Sequence, residues 1–176
     1  MNIYLTRHGE TNYNIKGLCN NDPNVDVHLT KKGIYQAKKM GSKISHITFD
    51  LVFISELPRT KETLLHSKVS YRQLLVSKLL NDTKTGMNDK KVSEYFRYIK
   101  KDPLNTTPPN GESLLSLHMR TKTFLDSVKN LKHNNILIIS HGTIQKSLLI
   151  HLNNEVINNQ NILKMSDNCE LFHFIL

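Results

Sequence analysis

Apolar residues in this chain fall into short continuous runs, separated by longer stretches in which they recur every three or four positions. "NIYL" at 2–5, "FDLVFIS" at 49–55 and "NILIIS" at 135–140 are rich in strand formers and lack clean alternation. A strand with one wet face alternates, so these runs predict strands buried on both faces, as in a parallel sheet covered by helices. The intervening segments carry the helical period. Thr30 is placed to cap a helix with Ile34, Ala37 and Met40 on one face, and Pro58 suits the first turn of another through Thr63, Leu64 and Leu65. Val92, Tyr95, Phe96 and Ile99 form the stripe of a short helix. The longest helical stretch starts near Glu112 and aligns Leu114, Leu117, Phe124, Leu125, Val128 and Leu131. "TIQKSLLIHL" adds a last helix, and "CELFHFIL" alternates as a terminal strand.

Strands alternating with helices predict an α/β three-layer sandwich, with a mostly parallel central sheet, helices on both faces and an antiparallel edge strand. A length of 176 residues with 38% hydrophobic content fits one domain spanning 1–176. Its least regular parts, "NDTKTGMNDKK" and "KKDPLNTTPPNGES", flank one short helix. They predict an excursion over one sheet edge at about 81–113, a natural place for a lid.

The formal net charge of +9 favours anionic partners: phosphorylated metabolites, phosphoproteins, nucleic acid or anionic lipid. Charge alone does not choose among them. Cys19 and Cys169 lie far apart without metal-type spacing and read as ordinary thiols of a reducing compartment. Arg7 and Glu10 interrupt any leader-like apolar core, and no stretch has the length of a membrane span, so a cytoplasmic protein without membrane association is expected.

Candidate chemistry sits at the carboxyl ends of the predicted strands, where open α/β sheets gather their functional side chains. "NIYL" runs into Thr6, Arg7, His8 and Gly9, and "ILIIS" runs into His141 and Gly142. "FDLVFIS" leads to a helix start carrying Arg59. Two arginines and two histidines on one rim suit a dianionic phosphoryl group, because guanidinium offers planar fork donors and imidazole can donate or attack. The glycines are expected to let the backbone turn sharply and leave room for the ligand.

In order along nearly the whole chain, the blocks "LTRHGETNYN", "HLTKKGIYQA", "SELPRTKET", "LLNDTKTG", "NGESL" and "IISHGT" resemble the histidine phosphatase superfamily, in its phosphoglycerate-mutase-like branch. The resemblance implies that His8 is the nucleophile that becomes phosphohistidine. It implies further that Arg7, Asn14, Arg59 and His141 hold the phosphoryl oxygens. Asp82 falls where the family places its acid/base carboxylate, usually a glutamate. The shorter side chain loses about 1.5 Å of reach. Tyr13 stands where the family favours tryptophan, and Pro58 and Thr60 around Arg59 are further departures. Asp89 and Glu112 are the other carboxylates of the excursion that could serve as the acid.

These residues predict a metal-independent phosphomonoesterase that needs no cofactor and acts on a small phosphorylated metabolite. Within the family, a phosphoglycerate mutase or a protein phosphohistidine phosphatase is the alternative. The chain looks short for the first, and the second would lack the excursion and its acid. Cysteine-dependent phosphatases are excluded, because Val25 rather than arginine stands six positions after Cys19. No Walker-type loop or two-metal His/Asp cluster is present in the sequence. A basic nucleic-acid-binding module remains as a different class, but the lysines and arginines are scattered without an aromatic platform, so no nucleic-acid partner is expected. His28, His66, His118 and His151 lack ligand spacing and read as surface or packing residues, with His28 close to the phosphate motif.

Overall fold

A computed structural model describes residues 1–176. Five strands form one sheet: β1 (Asn2–Arg7), β2 (Thr48–Ile54), β3 (Ser70–Val76), β4 (Asn135–Ser140) and β5 (Leu171–Ile175). Their spatial order is β3-β2-β4-β1-β5. The β1–β4, β4–β2 and β2–β3 pairs are parallel, whereas β5 runs antiparallel to β1. Six helices accompany them: α1 (Asn12–Lys16), α2 (Lys31–Lys43), α3 (Pro58–Ser67), α4 (Val92–Ile99), α5 (Leu114–Lys129) and α6 (Gly142–Leu152).

The strand runs lack hydrophobic alternation because each face meets its own helical layer. Leu51, Phe53, Ile136 and Ile138 pack with Leu117, Phe124 and Leu125 of α5 and Ile144 and Leu148 of α6. The intervening Val52, Ile54, Leu137 and Ile139 pack on the other side with Ala37 and Met40 of α2 and Leu64 of α3. Burying such a side chain contributes roughly 1.5–3 kcal/mol, about twice a typical net hydrogen bond, so these two faces dominate the stability of the sheet. Ser113, next to Glu112, caps α5, and Leu131 lies beyond its last turn. Leu65 of α3 is exposed.

Two elements were not visible in the sequence. β3 is a parallel edge strand, mostly exposed, whose "SYRQLLV" has too few buried positions to show a pattern. α1 spans only five residues and buries none of them.

The loop after β1 lies directly on the first turn of α2. A Cβ on Gly33 would stand 2.1 Å from the Glu10 carbonyl oxygen, and one on Gly9 would stand 2.6 Å from the Gly33 carbonyl oxygen. Gly9 does not have a positive φ, nor does Gly142. The expectation of glycine-specific sharp turns therefore needs correction: Gly9 is required for close backbone packing, and Gly142 fits tightly against side chains of Met165 and Arg7. Gly33→Ala is expected to destabilise the protein by about 1–3 kcal/mol in urea unfolding, through overpacking of the loop that carries His8. It should lower catalytic turnover in parallel.

Candidate active site

The parallel arrangement sets the ends of β1, β4 and β2 side by side, with β4 in the middle. His8 follows β1, His141 follows β4, and Arg59 is the second residue of α3 after β2. The two imidazole centroids are 5.2 Å apart. A cavity of about 320 Å³ opens at this rim, lined among others by Arg7, His8, Asn14, Arg59 and Asp82. The structure thus brings the sequence-predicted residues together, with His141 fully buried behind Arg59 and Asp82. The starts of α3 and α6 meet the same rim, and helix N-termini favour an anion there.

His8 is held from several sides. Its backbone N–H donates to the Ser140 carbonyl at 2.9 Å, its own carbonyl accepts from Asn168 Nδ2 at 2.8 Å, and the next amide, Gly9 N–H, donates to Thr63 Oγ1 at 3.0 Å. The ring Nδ1 lies 2.7 Å from the Gly9 carbonyl oxygen. A carbonyl only accepts, so Nδ1 carries the proton and the lone pair resides on Nε2. Burial, then the charges of Arg59, His141 and Arg7, hold the His8 pKa well below the usual histidine value, against the opposing pull of the Gly9 carbonyl.

His141 has the opposite tautomer. Arg59 Nε donates to its Nδ1 at 3.2 Å, and the proton on Nε2 faces Ser55 Oγ at 2.8 Å. Burial and the neighbouring arginines, Arg59 first, keep its pKa well below normal. Ser55 was missed in the sequence because a serine at a strand end carries no pattern. Asn20 was missed because an asparagine in the loop after α1 reads as a turn residue. Its Oδ1 and backbone carbonyl accept from Arg59 at 3.3 and 3.0 Å, and its Nδ2 is buried without a partner.

Arg59 NH2 also donates to Asp82 Oδ2 at 2.9 Å, and the same oxygen lies 3.6 Å from His141 Nδ1. The Asp82 side chain is 29% exposed against 4% for Arg59, so the carboxylate sits toward the mouth of the cavity, where it can be displaced. Arg7 NH1 donates to the Ser166 carbonyl at 2.9 Å, while its Nε is buried and unpartnered. A Cβ on Gly142 would stand 3.0 Å from the Met165 sulfur and 3.3 Å from the Arg7 guanidinium carbon, a tight fit against two side chains. Asn14 doubles as the capping-box residue of α1: its Oδ1 accepts from Thr11 N–H, which leaves only Nδ2 to meet a ligand.

The two other candidate acids of the excursion, Glu112 and Asp89, are committed elsewhere. Glu112 binds Arg120 through both oxygens, at 2.7 and 2.9 Å, and accepts from Lys84 N–H. Arg120 also donates to the carbonyls of Leu79, Asn81 and Asp82, so this pair clamps the segment that presents Asp82. Asp89 accepts from the Tyr13 hydroxyl at 2.6 Å and does not line the cavity. His28 is exposed and paired with Asp26.

Residues 3–175 match the family model described as histidine phosphatase superfamily (branch 1). The chain belongs to this superfamily. This histidine phosphatase is 29% identical over 163 residues to the adenosylcobalamin/alpha-ribazole phosphatase of Escherichia coli, covering 86% of the chain and 79% of that protein. It is 28% identical over 192 residues to the 2,3-bisphosphoglycerate-dependent phosphoglycerate mutase 2 of Arabidopsis thaliana, covering 85% of the chain and 57% of the relative. The crystal structure of the alpha-ribazole phosphatase from Shigella flexneri has the same fold, with a TM-score of 0.83 at 24% identity over 98% of this chain and 89% of that one. The protein is therefore a phosphoryl-handling enzyme with a mostly parallel five-stranded α/β fold, and the reading as a module without catalysis falls away. No helix is long and apolar enough to cross a membrane.

The buried histidines give the fold a defined acid response. His118, between α5 and α6, bonds Ser147 and has its pKa lowered to about 4, chiefly by burial and then by His151. With His8 and His141 also lowered, the folded chain binds fewer protons than the unfolded chain below about pH 6.5. Their stabilisation is complete above that pH and declines as pH falls toward 4. Urea midpoints should drop between pH 7 and 5, and His118→Asn should flatten the slope; a pH-independent midpoint would contradict this.

Proposed function

We propose that this histidine phosphatase is a metal-independent phosphomonoesterase that hydrolyses a small phosphorylated metabolite through a phosphohistidine at His8. The observation that carries the reading is the His8 tautomer. The bond from Nδ1 to the Gly9 carbonyl leaves the Nε2 lone pair beside two buried guanidinium groups. A phosphate dianion entering the cavity takes the place of Asp82 on Arg59. Arg7, Asn14 and Arg59 then donate to its non-bridging oxygens; as Arg59 Nε turns from His141 to the phosphoryl group, His141 takes a solvent proton on the freed Nδ1 and donates to the same group. Nε2 of His8 forms the N–P bond as the P–O bond to the leaving alcohol breaks. Asp82, displaced from Arg59, takes up a solvent proton and gives it to the departing oxygen. The resulting carboxylate takes a proton from the water that attacks phosphohistidine, which releases phosphate and regenerates the imidazole. The excursion at 81–113 is the lid of this site, and the whole chain acts as one domain.

Hydrolysis is favoured over phosphoglycerate isomerisation because Arg7 and Arg59 are the only arginine or lysine side chains that line the cavity. Both are used by the phosphoryl group, so no third cation remains for the carboxylate of a phosphoglycerate. A phosphohistidine substrate would not need Asp82, since its imidazole leaving group requires no strong acid.

During turnover, an acid-free quench should trap an acid-labile, base-stable phosphoryl group that His8→Ala abolishes along with activity. Activity should persist in excess EDTA, because arginines supply the charge that a metal would otherwise provide. Loss on chelation with rescue by a divalent cation would refute the mechanism.

Asp82→Asn should depress hydrolysis of alkyl phosphates by roughly 10²- to 10⁴-fold, the usual worth of general acid catalysis. With p-nitrophenyl phosphate, whose leaving group needs no proton, it should instead give a nitrophenol burst followed by slow turnover. Equal, small losses for both ester types would assign the acid elsewhere.

A further inference from the structure

Buried polar side-chain atoms are normally paired, and the few that are not mark places where something else completes the bonding. Five such atoms occur in this protein, and four belong to residues that line the active-site cavity: Arg7 Nε, Asn20 Nδ2, Thr83 Oγ1 and Tyr95 OH. Arg7 and Asn20 adjoin the phosphoryl site through Arg59 and His8. Thr83 and Tyr95 do not. Thr83 directly follows Asp82, and Tyr95 comes from α4 in the excursion; both are about 95% buried.

Apart from the reacting groups the cavity is lined by neutral side chains, apolar ones such as Leu18, Val27, Val92 and Phe96 together with neutral polar ones such as Thr85. Every charged side chain of the cavity, Arg7, Arg59 and Asp82, is assigned to the reacting group. The Tyr95 phenol stays un-ionised, because burial first, then Glu112 and Asp82, push its pKa up. It therefore offers a neutral donor and acceptor, as Thr83 does.

We propose that the Tyr95 and Thr83 hydroxyls form a specificity subsite that hydrogen-bonds the uncharged leaving alcohol of the substrate. The fitting alcohol pairs an apolar ring face with hydroxyl groups, the chemistry of a nucleoside 5′-phosphate rather than of an anionic three-carbon acid. This rests on the phosphomonoesterase reading. Placement beside Asp82 puts the subsite on the leaving-group side, so its contacts act on the alcohol and leave the phosphoryl half untouched.

The test is steady-state phosphate release by the full chain from adenosine 5′-monophosphate, 3-phosphoglycerate and phenyl phosphate, with wild type, Tyr95→Phe and Thr83→Val. Wild type should favour adenosine 5′-monophosphate over 3-phosphoglycerate by about tenfold or more in kcat/KM, the scale of one matched hydrogen bond. Each variant should lose about tenfold on adenosine 5′-monophosphate, mainly in KM, and stay within about twofold on phenyl phosphate. Failure of wild type to release phosphate from any of the three esters would overturn the phosphomonoesterase reading itself. Release from phenyl phosphate without preference for the nucleotide, or equal losses on both esters in the variants, would overturn the subsite alone.

Discussion

Two guanidinium groups and two imidazoles buried at the end of one sheet make a cluster of unbalanced positive potential, and the rest of the site is arranged around that fact. Arg7 and Arg59 are both depressed in pKa, first by burial; the Asp82 carboxylate opposes this at both, and Asp167 does so at Arg7. Desolvated cations without partners are costly. Here Arg59 is partnered by Asn20, His141 and the Asp82 carboxylate, while Arg7 keeps an unpartnered Nε. The arrangement is incomplete until a dianion enters, which is how binding energy becomes concentrated on the phosphoryl group rather than on the folded resting state.

Holding such a cluster requires a scaffold that does not relax. Central β4 aligns the carboxyl ends of β1 and β2 on either side of it, and its own end supplies His141. The His8 backbone is tied to β4 and, through Asn168, to the segment before β5, and the adjoining Gly9 amide is tied to α3 through Thr63. Glycine-to-glycine contact with α2 fixes the loop from another direction. Groups positioned in this way have little reorganisation left to undergo during reaction, the condition under which fixed dipoles and charges stabilise a transition state best.

The acid side of the site is built differently. Asp82 is presented by a segment clamped by Arg120 and Glu112, and the excursion is stitched to the loop after α1 by backbone bonds from Cys19 to Lys90, Asp89 to Cys19 and Val92 to Gly17. Within one short stretch the chain therefore supplies a catalytic-type carboxylate and the apolar wall of the cavity. In the proposed mechanism, phosphoryl recognition comes from the strand ends and alcohol recognition from the excursion.

Local pattern carried most of the architecture. Runs without alternation identified β1, β2 and β4 as strands buried on both faces, and histidines followed by glycine at two strand ends marked the rim where the cavity opens. The order of sequence blocks carried Asn14 and Asp82. β3 escaped because an exposed edge strand imposes no hydrophobic period, and α1 because a five-residue helix without a buried face has none. Ser55, Asn20 and the Arg120–Glu112 clamp became visible only in three dimensions. Their roles depend on which lone pair or N–H faces which partner across elements distant in sequence. Spacing along a chain encodes which residues share a face. It does not encode hydrogen-bond direction, and that direction, decided by the tertiary packing, is what leaves Nε2 of His8 unprotonated and sets Asp82 on Arg59.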